Sequence, residues 1–188
     1  MDWTQTEWNH MRENQESAMN AMYQNTAASH FERSERKTFT IDVIDVDTSP
    51  FNFSVNLHEP LKIDKLSDIY LEAFTTFNSV ANTVSNNMCF LLKIDQFNIQ
   101  SNAGIKPATA DPPTVPDASK MFNSLIIPNN ATSETRVFVH KAKKLNFICS
   151  TNPTTISTIS GTITNADGGV AFHGSTGRFI VEFVVISR

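Results

Sequence analysis

The sequence has few of the residues that usually mark a secreted or membrane-spanning protein. Its 188 residues contain two cysteines, Cys89 and Cys149. Each lies in an apolar stretch, which favours buried free thiols in a reducing compartment over a disulfide framework. The longest apolar run, 179–186, is interrupted by Glu182 and is far shorter than the ~20 residues of a membrane-spanning helix. Residues 1–15 lack a secretory signal, so we expect the protein to fold where it is made, without a transmembrane segment.

An excess of positive charge is also missing. The formal net charge is -4 at pH 7, with 15 basic and 19 acidic residues. Nucleic-acid binding normally requires a basic face that displaces counterions, so nucleic acid is not an expected partner. The composition is nevertheless that of a folded chain, with 40% hydrophobic residues and 14 phenylalanines. A chain of this length suits one core plus an extension.

Metal-binding patterns are missing as well. The five histidines are scattered, without a pair spaced to share one metal ion. Three aspartates, Asp42, Asp45 and Asp47, form the densest carboxylate group and could present oxygens to calcium. We favour a structural interpretation, because Asp42 lies on the polar side of a strand and the other two approach a turn at Thr48-Ser49-Pro50. The sequence predicts no metal site.

Catalytic signatures do not occur either. There is no Gly-x-Ser-x-Gly sequence, and neither cysteine has a local reactive signature. The glycines at 168–169 and 174–177 lack the strand-to-helix context of a phosphate-binding loop and indicate hairpin turns. We therefore predict a protein that is not an enzyme and needs no cofactor.

Both tryptophans lie before Arg36, outside the part of the chain that reads as strands. Apolar residues between Thr4 and Tyr23 recur at spacings of three and four, which favours an amphipathic helix with Thr6 as a candidate N-cap. Because this helix would be marginal alone, we expect residues 1–35 to form a helical or extended arm that orders against a partner. Tryptophan often anchors interfaces. The expected interface residues of the arm are Trp3, Trp8, Met11, Met19, Met22 and Tyr23.

The sequence pattern of the remainder, residues 36–188, predicts short strands separated by turns. Residues 51–58 alternate apolar and polar side chains, which predicts a strand with one buried face ended by Glu59-Pro60. The phase changes after Val43, which indicates a bulge or a bend. Further strands are expected in these segments: 67–77, with Ile69, Leu71, Ala73 and Phe77 on one face; 88–99, with Met88, Phe90, Leu92 and Ile94 on one face; 122–127; 135–140; 145–149; 155–164; and 178–187.

The strand count decides the expected fold class. About eight to ten strands without an internal helix favour an all-β protein, a single jelly-roll β-sandwich of about eight strands, over a seven-stranded immunoglobulin-like sandwich. The strand at 178–187 is apolar on both sides except at Glu182, which predicts a central position. The proline-rich segment 101–120 is expected to be a long surface loop.

One basic cluster stands out between the strands. It is predicted to form a solvated hairpin turn, with docking to an acidic protein surface as the alternative. Its residues are His140, Lys141, Lys143 and Lys144.

Several short segments of the predicted strands resemble sequences of a known family. Residues 36–43 (RKTFTIDV), 52–55 (NFSV), 66–72 (LSDIYLE) and 177–183 (GRFIVEF) are similar to sequences of minor capsid proteins of large nucleocytoplasmic DNA viruses, chloroviruses among them. The resemblance covers about residues 36–188 and leaves the arm out.

This resemblance implies a virion structural protein, placed in the capsid shell and assembled in the host cytoplasm. The expected partners are the major capsid protein and other minor capsid proteins. Two roles remain open: a vertex (penton) protein, for which a homopentamer is the expected assembly, and an internal cement protein whose arm spans gaps. The family implies no catalytic residues.

The alternative function is a carbohydrate- or receptor-recognition β-sandwich that binds through its loops. An exposed aromatic platform would favour it. The strand-built part, however, has no tryptophan, and Tyr70 is its only tyrosine.

Overall fold

The computed structural model describes residues 12–19, 35–46, 51–99, 101, 121–140, 145–174 and 176–188. The chain divides into two compact units, Met1–Ser34 and Glu35–Arg188; the sequence places this boundary one residue later. In the first unit, residues 12–19 are helical and exposed, within the segment expected to form a helix. No helix in the described ranges is long and apolar enough to cross a membrane.

The second unit is all-β, as predicted. It contains nine strands and a short 3₁₀ helix, Ser85–Asn87, within the residues described. The strands are β1 (Arg36–Val46), β2 (Phe51–Ile63), β3 (Ser67–Phe77), β4 (Cys89–Ile94), β5 (Leu125–Pro128), β6 (Val137–Val139), β7 (Asn146–Thr151), β8 (Thr154–Asn165) and β9 (Gly177–Ser187).

The strands form two antiparallel sheets that pack as a sandwich. Sheet A has the order β1-β9-β3-β6, with β7 also paired to β3, and sheet B has the order β2-β8-β4-β5. β9 therefore lies between β1 and β3, which confirms the central position predicted from its two apolar sides.

The pairing follows a nested pattern along the chain. The first strand pairs with the last, β2 with β8, β3 with β6 and β7, and β4 with β5. β6 and β7 do not pair with each other; both run antiparallel to β3. The two strands that flank the predicted hairpin turn at 141–144 therefore follow one another along the same edge of β3, while residues 141–144 themselves lie outside the described residues. The division of this edge into two strands accounts for nine strands instead of eight.

Phenylalanine dominates the core between the sheets. Phe179 of β9 contacts the rings of Phe53, Phe74 and Phe172 at centroid distances of 5.3 to 6.1 Å. Phe183 stacks on Phe39 at 5.0 Å. Such tilted and edge-to-face pairs add to the free energy gained by burying the rings.

Bulges explain where the alternating pattern changes phase. The register between β1 and β9 shifts between Val43 and Val46, and Asp45 has a positive φ of 54°, which confirms the predicted bulge. A second shift, between Leu71 and Ala73, moves the buried side of β3. Phe74 is consequently buried.

Three other sequence-based expectations are wrong. Phe77 is exposed, since the β3 bulge turns it outwards. Met88 precedes β4 and is 64% exposed. Glu59-Pro60 does not end β2, because the strand continues to Ile63 after a register shift between Asn56 and Leu61.

Candidate interaction surfaces

Connections at one end of the sandwich are held together by backbone hydrogen bonds. Val80, after β3, donates to the carbonyl of Ala171, which precedes β9, at 3.1 Å. Asn82 donates to the carbonyl of Ala131, which follows β5, at 2.9 Å. These bonds fix the loops after β3, β5 and β8 relative to one another, since a bonded backbone group buried from water is costly to release.

Asparagine side chains reinforce this loop end. The amide nitrogen of Asn129, which is buried, donates to the carbonyls of Val80 and Asn87, both at 2.8 Å. Its amide oxygen accepts from the backbone N–H of Ala131 at 2.9 Å. Asn165 likewise accepts from Gly169 at 2.7 Å. Asparagine suits this role because its amide both donates and accepts.

A histidine is buried below the same loops. His140 is 1% exposed, although it belongs to the cluster that the sequence predicts to be solvated. Its Nδ1 accepts from the backbone N–H of Asn130 at 3.0 Å. We therefore assign the ring proton to Nε2, which lies 2.7 Å from the hydroxyl of Thr76. That hydroxyl is 2.8 Å from Ser79 Oγ.

The environment of His140 favours the neutral imidazole. Burial lowers its pKa from 6.5 to about 4, partly offset by the carbonyl of Pro128. Thr76 and Ser79 are 1% and 0% exposed. Because all three side chains are buried, a substrate has no access to them, and their arrangement serves the packing of the loop end.

Exposed apolar side chains lie on β6, an edge strand of sheet A within the described residues. Val137 and Val139 of β6 are 64% and 57% exposed. Val137 pairs with Phe77 of β3, which is also exposed. β6 carries no charged residue. Edge strands of soluble proteins usually carry charges or proline that prevent pairing with other chains, so this edge is a candidate contact surface.

Apolar residues are also exposed near β5, the edge strand of sheet B in the part of the chain that the structure describes. They are Met88, Phe122 and Ile126. Ile126 belongs to β5 and pairs with Leu91 of β4, which packs with Cys89 and Ala166 in a second, smaller core cluster.

Two open grooves accompany the strand edges. One, of about 620 Å³, lies between β7 and the first half of β8 and is lined mainly by hydroxyl and amide side chains. The other, of about 670 Å³, lies between β1 and the bulged part of β2.

Most of the predicted interface residues lie outside the part of the chain that the structure describes. Met19 is exposed on the helix of the first unit. Outside the described residues lie Trp3, Trp8, Met11, Met22, Tyr23, Lys141, Lys143 and Lys144.

The aspartates considered as calcium ligands and the two cysteines can now be placed in the structure. Arg178 Nε donates to Asp42 at 2.8 Å and lowers the pKa of that carboxyl. Asp47 lies outside the described residues, and no group of three or more potential metal ligands occurs among those described. Cys89 and Cys149 are free and buried, and burial raises the pKa of both thiols.

No protein-family model matches this chain, and a search of curated proteins finds no match.

Proposed function

We propose that the protein is a virion structural protein, a minor capsid component that binds the major capsid protein and neighbouring minor capsid proteins. The main support for this proposal is the nested pairing of the strands. It matches a jelly roll, in which the chain doubles back as an antiparallel ribbon and is rolled into two sheets. Jelly rolls are the fold of many viral capsid proteins, but lectins and cupins share it.

The exposed edges support a function in assembly. Val137, Val139 and Phe77 present apolar surface on an uncharged strand edge. Isolated exposed apolar residues are common on protein surfaces. Exposed apolar residues that are cross-strand neighbours, on an edge strand without charges or proline, favour contact with another protein. The hydrogen-bonded loop end would keep such a domain rigid, as a wedge in a shell requires.

Mass spectrometry of purified virions tests the proposal. The protein should be present at a fixed ratio to the major capsid protein and should remain after a high-salt wash. Absence from virions, or complete removal by salt, would contradict it. Light scattering of the purified full chain then separates the two roles, because a pentamer favours the vertex role and a monomer the cement role.

A recognition module is the second candidate, favoured by an aromatic pair on the outside of sheet A. The exposed ring of Phe147 packs edge-to-face against Tyr70 at a centroid distance of 5.8 Å. Aromatic rings stack on sugars through their apolar faces. Binding of the isolated protein to a glycan array, lost in Phe147→Ala, would support this candidate.

A further inference from the structure

β8 is longer than its neighbour β4. β8 extends from Thr154 to Asn165, whereas β4 pairs only with Gly161–Asn165. β4 ends at Ile94, and the next contacts on this side are Asp95 N–H to Ser160 O and Ser160 N–H to Gln96 Oε1, both 2.9 Å. Before Ser160, β8 has a strand partner only on its other side, where β2 lies, among the residues that the structure describes.

The groove of about 620 Å³ lies beside this unpaired part of β8. Cys149 of β7 and Ile156 of β8, both buried, supply apolar atoms to it. The other described lining residues are polar or proline, and none of them is charged at neutral pH. Beside the groove, Asp68 is already paired with Arg188, and Asp95 accepts from Ser160 Oγ at 2.8 Å. A charged side chain brought into the groove would therefore gain little there for the water that it loses.

The free edge lacks the usual protection against strand addition. The sequence from Thr154 to Ser160 is TTISTIS, which is rich in β-branched residues and contains no lysine, glutamate or proline. An edge of this kind is a template for an additional strand. From Thr154 to Ile159, its five steps of about 3.3 Å span about 17 Å.

We propose that the edge of β8 from Thr154 to Ile159 binds an extended, uncharged polypeptide segment of a partner protein, added as a strand in line with β4. The absence of charge in the groove selects an uncharged segment. The chain's own connection between Ser101 and Met121 is a poor donor, since it contains four prolines, which lack the backbone N–H that a ladder needs. This proposal is independent of the virion function.

The test is an NMR titration of the isotope-labelled full chain with the uncharged heptapeptide STVSVTS. Saturable shifts are expected for backbone amides of 154–160 and for Gln96 and Asn98, with a Kd in the millimolar range. The control peptide is N-methylated at alternate residues on one edge. It should bind at least about tenfold more weakly, because it cannot donate to β8.

Two serine-to-lysine variants test whether the heptapeptide binds in the groove beside β8. Ser157→Lys adds a charge in the groove and should weaken binding of the heptapeptide at least about tenfold. Ser85→Lys makes the same change in the 3₁₀ helix before β4, outside the groove, and should leave binding unchanged. Both positions are exposed, so both variants should keep the melting temperature of the parent protein.

Three results would overturn the proposal. They are no saturable shifts up to about 10 mM peptide, equal binding of the N-methylated peptide, and shifts that map away from β8. Shifts at 154–160 with maltoheptaose but not with the peptide would assign the groove to a neutral oligosaccharide instead.

Discussion

His140 and Thr76 form a hydrogen bond of 2.7 Å in the interior of the sandwich, between residues 64 positions apart in the chain. The bond joins the end of β6 to β3 below the loop end. The Nδ1 of the same ring accepts from the backbone N–H of Asn130 at 3.0 Å, which requires a neutral imidazole; burial favours that form by lowering the pKa of His140 to about 4.

Stability should therefore fall between pH 6.5 and pH 4. In this window the unfolded chain binds a proton on His140 that the folded protein does not bind. The full effect is on the order of 3 kcal/mol in the free energy of unfolding. Urea titrations at several pH values measure it. His140→Gln should flatten the pH dependence whatever its own stability, whereas His58→Gln, an exposed control, should keep it.

Asn129→Asp should destabilise the loop end. The substitution keeps the shape but replaces a donor of two 2.8 Å hydrogen bonds with a carboxylate that faces two carbonyl oxygens. We expect a loss of about 3 kcal/mol, measured by urea unfolding. Asn130→Asp is the matched control, because Asn130 is exposed and its side-chain bond to Val139 O is long, 3.4 Å. Equal losses in both variants would contradict this role of Asn129.

Gly161→Ala should disturb the contact between β8 and β4. A Cβ at Gly161 would overlap the carbonyl oxygen of Lys93 and approach the ring of Phe53 to 3.0 Å. Overpacking of this kind costs about 1–3 kcal/mol or more. Gly174→Ala is the comparison, since its Cβ meets nothing within 4 Å and only its positive φ of 74° opposes it. Thermal denaturation should rank Gly161→Ala as the less stable variant.

Under the proposed capsid function, deletion of residues 1–34 should leave the sandwich folded and abolish incorporation into virions. Glu35 is kept because its backbone N–H donates to Ser187 Oγ at 2.8 Å and its carbonyl accepts from Ser187 N–H at 3.0 Å. Circular dichroism and virion incorporation check the two outcomes. A longer deletion, 1–40, removes Phe39 from its stack on Phe183 and should unfold the protein more easily. Normal incorporation of the 1–34 deletion would refute the anchor function of the arm.

Val139→Lys tests the apolar edge of sheet A. The side chain is exposed, so the free energy of unfolding should change by less than about 0.5 kcal/mol. Binding to the major capsid protein, the proposed partner, should weaken at least about tenfold when it is measured by co-sedimentation. Thr135→Lys, an exposed change in the preceding connection, should bind normally. Unchanged binding of Val139→Lys would remove this edge from the proposed interface.

Alternation along the chain was sufficient to place the strands and some of their faces. Phe53 is buried and His58 exposed, as the pattern at 51–58 predicts. β9 is central because both of its sides are apolar. These inferences succeed since the direction of a side chain in a regular strand depends only on position, with a period of two residues.

Tertiary structure decided the features that interrupt that period. The bulge at 71–73 turns Phe77 outwards, and β2 continues through Glu59-Pro60, because registers are set by the neighbouring strand. His140 is buried although three lysines follow it closely in the sequence. The reason is that β6 and β7 both pair with the same edge of β3, which places His140 between them, below the loops. The groove beside β8 likewise depends on β4 ending halfway along a longer strand. The sequence alone determined the all-β class and the main strands, through local periodicity; long-range pairing determined which polar side chains are enclosed and which strand edges stay free.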